Sequence, residues 1–153
     1  MRWAVGRRAR MGIAATCIVA VGIVSLMVVA SSPGVGGPTC HARKATIVGT
    51  SGNDVIAGTN GSDVIVSRGG NDQVDGRGGD DYICGNSGRD ILLGGSGDDN
   101  LFGEAGTDQL HGGSGEDYMV GDGTLPYRND SCDGGDGTND TALGDCESKP
   151  NVP

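Results

Sequence analysis

Between Gly49 and Val120 one medium or large apolar residue returns at every ninth position: Ile56, Ile65, Val74, Ile83, Leu92, Leu101, Leu110 and Met119. This period is neither the 3.6 of an amphipathic helix nor the 2 of one long strand. A single apolar position whose neighbours point the other way fits a very short strand with its middle side chain turned inward. The pattern therefore predicts a strand at positions seven to nine of each nonapeptide and a turn at positions one to six. Two strands and two turns close one coil of eighteen residues. Stacked coils turn the apolar column into a ladder, so the expected fold is an all-β parallel solenoid with two nonapeptides per coil.

Two other columns share the period. Read in nines from Gly49, the fourth position is glycine in all eight nonapeptides, from Gly52 to Gly115, and the first is glycine in seven, with Ser67 the exception. Glycine admits left-handed backbone angles and leaves carbonyl oxygens accessible. The sixth position is aspartate in all eight. Asp54, Asp72, Asp90 and Asp108 are expected to stack along one edge of the solenoid, and Asp63, Asp81, Asp99 and Asp117 along the other. Carboxylates spaced at about 4.8 Å repel by about 3–4 kcal/mol at an effective dielectric of 20. One aliphatic per nonapeptide does not offset both that repulsion and the ordering entropy of a glycine-rich chain. A divalent cation between coils reverses the sign. Calcium suits such a site because it accepts many oxygens, carbonyls included, in flexible geometry. Zinc asks for Cys or His, and the repeats offer one stray histidine, His111.

The nonapeptides "GGSGDDNLF" at Gly94–Phe102 and "GGSGEDYMV" at Gly112–Val120 carry a resemblance to the RTX family, the haemolysin-type calcium-binding repeats of secreted bacterial proteins. That resemblance implies a right-handed parallel β-roll binding several Ca²⁺ ions through Asp54, Asp63, Asp72, Asp81, Asp90, Asp99, Asp108 and Asp117. Asp140, in the degenerate ninth loop "GGDGTND", joins the set. The second position departs from the family pattern: only Gly95 and Gly113 match, against Thr50, Thr59, Arg68, Arg77, Asn86 and Glu104. Arg89 sets a fixed cation beside Asp90. These departures predict weaker sites early in the roll and better ones late.

The ends differ from the middle. Residues 1–30, with Arg2, Arg7, Arg8 and Arg10 followed by an uncharged run from Met11 to Ala30, read as a signal peptide; an uncleaved anchor is the alternative. Residues 31–39 read as a flexible segment. "CHARKATIV", Cys40–Val48, is one more nonapeptide in register, with Ala45 in place of the aspartate, and so an N-terminal cap without metal. The eight-nonapeptide roll, 49–120, is expected to stop where the period breaks at "GDGTLPYRNDS"; 121–146 then form a C-terminal cap and 147–153 a tail. Cys17 leaves with the leader. Cys40, Cys84, Cys132 and Cys146 remain for two disulfides, and locality favours Cys132–Cys146 and Cys40–Cys84 among three pairings.

Composition narrows the function. Among 153 residues there are 31 glycines, one Phe and one Trp, so a conventional core is poor. The leader takes four of the 11 basic residues and none of the 20 acids, leaving 7 against 20 and a net charge of −13. That argues against nucleic acid and anionic lipid and for cations; membrane contact is expected only through an uncleaved leader. His41 and His111, the only histidines, lie in no metal or triad pattern, so no enzyme is expected. The expected role is a secreted, structural or adhesive module of the cell surface or matrix. A soluble extracellular calcium-binding protein without a fixed partner and, behind it, a hydrolase with an unrecognised site are the alternatives.

Overall fold

The computed structural model describes residues 37–121, 130–137, 139–144 and 146–148. The leader and the tail from 149 lie outside the described residues. No helix among the described residues is long and apolar enough to cross a membrane. The chain winds as a solenoid with two parallel sheets facing each other. One sheet stacks Ile47–Val48, Val64–Val66, Tyr82–Cys84, Asn100–Phe102, Tyr118–Val120 and Thr141–Leu143. The other stacks Val55–Ala57, Gln73–Gly78, Ile91–Ser96, Gln109–Ser114, Asp130–Gly135 and Cys146–Ser148. Ile65 pairs with Ile83 and Val74 with Leu92, so each coil spans two nonapeptides as the period predicts.

The apolar column is the core. Ile47, Ile56, Ile65, Val74, Ile83, Leu92, Leu101, Leu110 and Met119 are buried between the sheets in one continuous cluster. Each such side chain contributes about 1.5–3 kcal/mol on burial. The column runs past Val120: Cys132 takes the next rung above Leu110, and Ala142 the rung above Met119. The roll therefore resumes beyond the point where the sequence period breaks. Parallel pairing returns with Gln109 opposite Ser131 and Tyr118 opposite Thr141.

A second apolar cluster was not anticipated. Val48, Val66, Cys84 and Phe102 occupy ninth positions of alternate nonapeptides, so they line the outer face of one sheet only. Thr39–Cys40 and Arg43–Lys44 form an antiparallel hairpin that packs against them, rather than a full metal-free coil. The hairpin turns at His41 and Ala42, whose φ values of 46° and 67° suit the tight turn between twisted strands. His41 stacks on Phe102 with ring centroids 3.7 Å apart, and the Arg43 guanidinium lies 3.7 Å above the Tyr82 ring. A Cys40–Cys84 disulfide fixes the hairpin to the sheet, and a Cys132–Cys146 disulfide closes the last coil. Elsewhere on the strands Val55 and Tyr118 are exposed, while Val64 and Tyr82 pack partly buried against this cluster.

Candidate metal sites along the two edges

The sixth-position aspartates stand at the two edges where the chain passes between sheets, and each is tied to the next coil by its own side chain. The Asp54 amide donates to Oδ1 of Asp72, Asp72 to Asp90, Asp90 to Asp108 and Asp108 to Asp130, at 2.8–2.9 Å. On the opposite edge Asp63 donates to Asp81, Asp81 to Asp99, Asp99 to Asp117 and Asp117 to Asp140, at 2.8–3.0 Å. Thr46 caps this second column, its hydroxyl donating to Oδ1 of Asp63 at 3.1 Å. Aspartate thus serves the fold directly: one carboxylate oxygen satisfies a backbone N–H that would otherwise be buried without a partner.

The other oxygen is the chemically open one. Oδ2 of Asp81, Asp90, Asp99 and Asp117 is buried and meets no hydrogen-bond donor. Each lies in a slot beside the first-position glycine of its own nonapeptide. A Cβ added to Gly76 would fall on Oδ2 of Asp81 and 2.6 Å from the Gly94 carbonyl of the next coil. A Cβ added to Gly94 would meet Oδ2 of Asp99 and come 2.6 Å from the Gly112 carbonyl. Glycine at these two positions therefore lets a carboxylate oxygen and a carbonyl oxygen of the next coil come together where a side chain would stand.

The electrostatics are unfavourable as the slots stand. Burial pushes the Asp81 carboxyl up to about 6; the hydrogen bond from Asp63 pulls down, and the neighbouring carboxylates of Asp63, Asp80 and Asp75 push up again. Burial likewise takes Asp90 and Asp99 to about 7, against the amides of Asp72 and Asp81 respectively, with like charges in their own columns adding to it. Asp72 and Asp117 are raised for the same first reason. A buried carboxylate with an unmet oxygen calls either for a proton or for a cation. The donors on offer are carboxylates and carbonyls, which fit a hard ion with oxygen ligands; these slots offer no nitrogen or sulfur to favour zinc.

Asp54 and Asp63 are placed in the columns but differ in partners. The Thr50 amide and hydroxyl reach Oδ2 of Asp54 at 2.6 and 2.9 Å. The Thr59 amide and hydroxyl reach Oδ2 of Asp63 at 2.8 and 2.9 Å. Fifth positions add a further ladder at the surface: Asn71 donates its amide to Asn53, Arg89 to Asn71, Asp98 to Asp80 and Glu116 to Asp98. The edges are therefore unequal. One is flanked by Asn53, Asn71 and Arg89, the other by Asp80, Asp98 and Glu116.

All nine aspartates singled out in the sequence fall in these two columns, Asp140 among them. Asp130 was missed, although it is buried and accepts the Asp108 amide. Its signal was present in "DSCDG": an acid, a core residue two positions on, and a first-position glycine, with Cys132 standing where an aliphatic was sought. A family model of the RTX calcium-binding nonapeptide repeat, four copies long, matches residues 48–83, 58–92 and 85–119. Comparison with curated proteins gives no match, and comparison with solved structures gives none.

Proposed function

We propose that this chain, whose residues 48–119 belong to the RTX calcium-binding nonapeptide repeat family, is an extracellular module that closes around calcium. Calcium binding by a β-roll is the property of the family. The observation that carries it to particular residues is the row of buried Oδ2 atoms at Asp81, Asp90, Asp99 and Asp117, each without a donor and set against the first-position glycine of its own nonapeptide. Those carboxylates, with Asp72, Asp108 and Asp140 in the same columns, would hold ions between coils together with backbone carbonyls. A bound calcium supplies positive charge to a stack of like charges and ligand bonds to oxygens that nothing else satisfies.

The consequence is a fold conditional on its surroundings. Where free calcium is scarce, the acid columns oppose stacking and the chain stays open. At the roughly millimolar levels that extracellular modules use, ligand binding becomes folding free energy. Net negative charge and oxygen-only slots support a structural role outside the cell, with the outer sheet faces presented to a surface or matrix component. Circular dichroism and calorimetry of the chain in EGTA and in calcium test this reading. A cooperative gain of β-structure and heat resistance on adding calcium is expected; identical behaviour in both buffers refutes it.

A further inference from the structure

The slots are not all alike, and the difference follows chain order. In the first two nonapeptides the second position is threonine, and its hydroxyl covers the oxygen left bare later on. Thr50 Oγ1 donates to Asp54 Oδ2 and accepts the Gly52 amide at 3.2 Å; Thr59 Oγ1 does the same for Asp63 and Gly61. Later second positions turn away. Arg68, Arg77, Asn86, Gly95, Glu104 and Gly113 all have φ between 68° and 117°, the left-handed region, and Oδ2 of Asp72, Asp81, Asp90, Asp99 and Asp117 meets no donor.

The third nonapeptide is the transition. Its first position is Ser67, the one break in the glycine column, and it is fully buried. The Ser67 hydroxyl donates to the Gly85 carbonyl at 2.7 Å, so it takes the carbonyl side of the Asp72 slot. Oδ2 of Asp72 itself still meets no donor, as in the later coils. From Gly76 onward the first position carries no side chain. The Cys40–Cys84 disulfide spans this same N-terminal stretch.

We propose that Thr50 and Thr59 are built-in substitutes for the cation, so that the coils bearing Asp54 and Asp63 close without metal and the calcium-dependent roll begins at Asp72. The N-terminal coils then form a standing template on which the later coils stack as ions arrive. The inference rests on the calcium reading above and assigns its boundary.

The test is the calcium stoichiometry of the full chain by equilibrium dialysis against calcium chloride. Thr50→Gly/Thr59→Gly should bind more ions than the parent, by about one for each carboxylate uncovered. Thr50→Ser/Thr59→Ser keeps both hydroxyls and should bind the parent number. Equal counts in the parent and the glycine variant, with calcium bound to both, overturn the inference and leave the functional reading intact. A parent chain that binds no calcium overturns both. Hydrogen exchange of the parent in EGTA is independent of whether the glycine variant folds. The amides of Gly49 and Val64 should stay protected while those of Gln109 and Tyr118 exchange at least about a hundredfold faster. Equal exchange at the two ends overturns the boundary.

Discussion

The Asp81 amide donates to Oδ1 of Asp99, one coil further on, at 2.8 Å, while Oδ2 of the same Asp99 side chain meets no donor. The two oxygens of one carboxylate therefore have separate tasks, one in the backbone ladder and one in the slot. Substitutions separate them. Asp99→Asn keeps an oxygen for the Asp81 amide and removes the buried charge. It should keep the ladder bond but raise the calcium concentration at which the chain folds. Asp99→Ala strands the amide and should cost about 1–3 kcal/mol more than Asp99→Asn in saturating calcium. Urea denaturation in saturating calcium checks this; equal destabilisation by Asn and Ala would show that the ladder bond contributes nothing.

Proton and calcium compete for the same columns. Asp81 titrates at about 6 and Asp90 and Asp99 at about 7 in the folded metal-free chain, against an ordinary value of 3.8. Between those limits the folded state holds more protons than the unfolded one, so its stability falls as pH rises. Any fold that persists in EGTA should be most stable near pH 4, where these carboxyls are protonated, and should lose that stability steadily as pH rises to about 7. Calcium affinity should run the other way, strengthening over the same range. Thermal melts at pH 5, 6 and 8 in EGTA measure the first trend, and a rise in stability with pH would contradict it.

The slot itself can be filled. Gly94→Ala would set a Cβ against Oδ2 of Asp99 and 2.6 Å from the Gly112 carbonyl. It should abolish metal binding at that slot and lower stability in calcium by about 1–3 kcal/mol. Gly61→Ala is the control: nothing lies within 4 Å of the added atom, and the change should stay within about 0.5 kcal/mol. Isothermal titration of both variants would reveal equal behaviour if the first-position glycines merely relieve backbone strain.

The hairpin is held to the outer sheet by one covalent bond. Cys40→Ser/Cys84→Ser should destabilise the chain by about 2–5 kcal/mol and uncover Phe102, Val66 and Val48. Binding of a hydrophobic dye in calcium should rise in this variant. A silent dye assay with unchanged melting would show that the hairpin packs without its staple.

The coil and its ladder were legible in the sequence because three chemistries keep one period, and any of Ile65, Ile83 or Leu101 could have announced it. Asp130 was hidden by a sequence separation of 22 rather than 18 from Asp108 and by a cysteine on the rung above Leu110. The outer cluster was hidden by the choice of nine as the unit. Read in eighteens, the ninth positions Val48, Val66, Cys84, Phe102 and Val120 are apolar throughout, while Ala57, Asp75, Leu93 and His111 are mixed. The hairpin could not be read at all from register, since Cys40–Val48 fits the frame and its chain direction is set by the turn at His41 and Ala42. The hydroxyl caps at Thr50 and Thr59 were visible only as departures; what they touch required coordinates.

That alternation between walls makes the indivisible module a pair of nonapeptides. Excising Gly85–Leu93 alone would swap every downstream strand to the opposite wall, carrying Phe102 away from His41 and leaving the hairpin over polar ground. Excising Gly85–Phe102 would shorten the cylinder by one storey and keep each remaining wall facing its own way. Lengthening or trimming of this chain should therefore proceed in steps of eighteen residues.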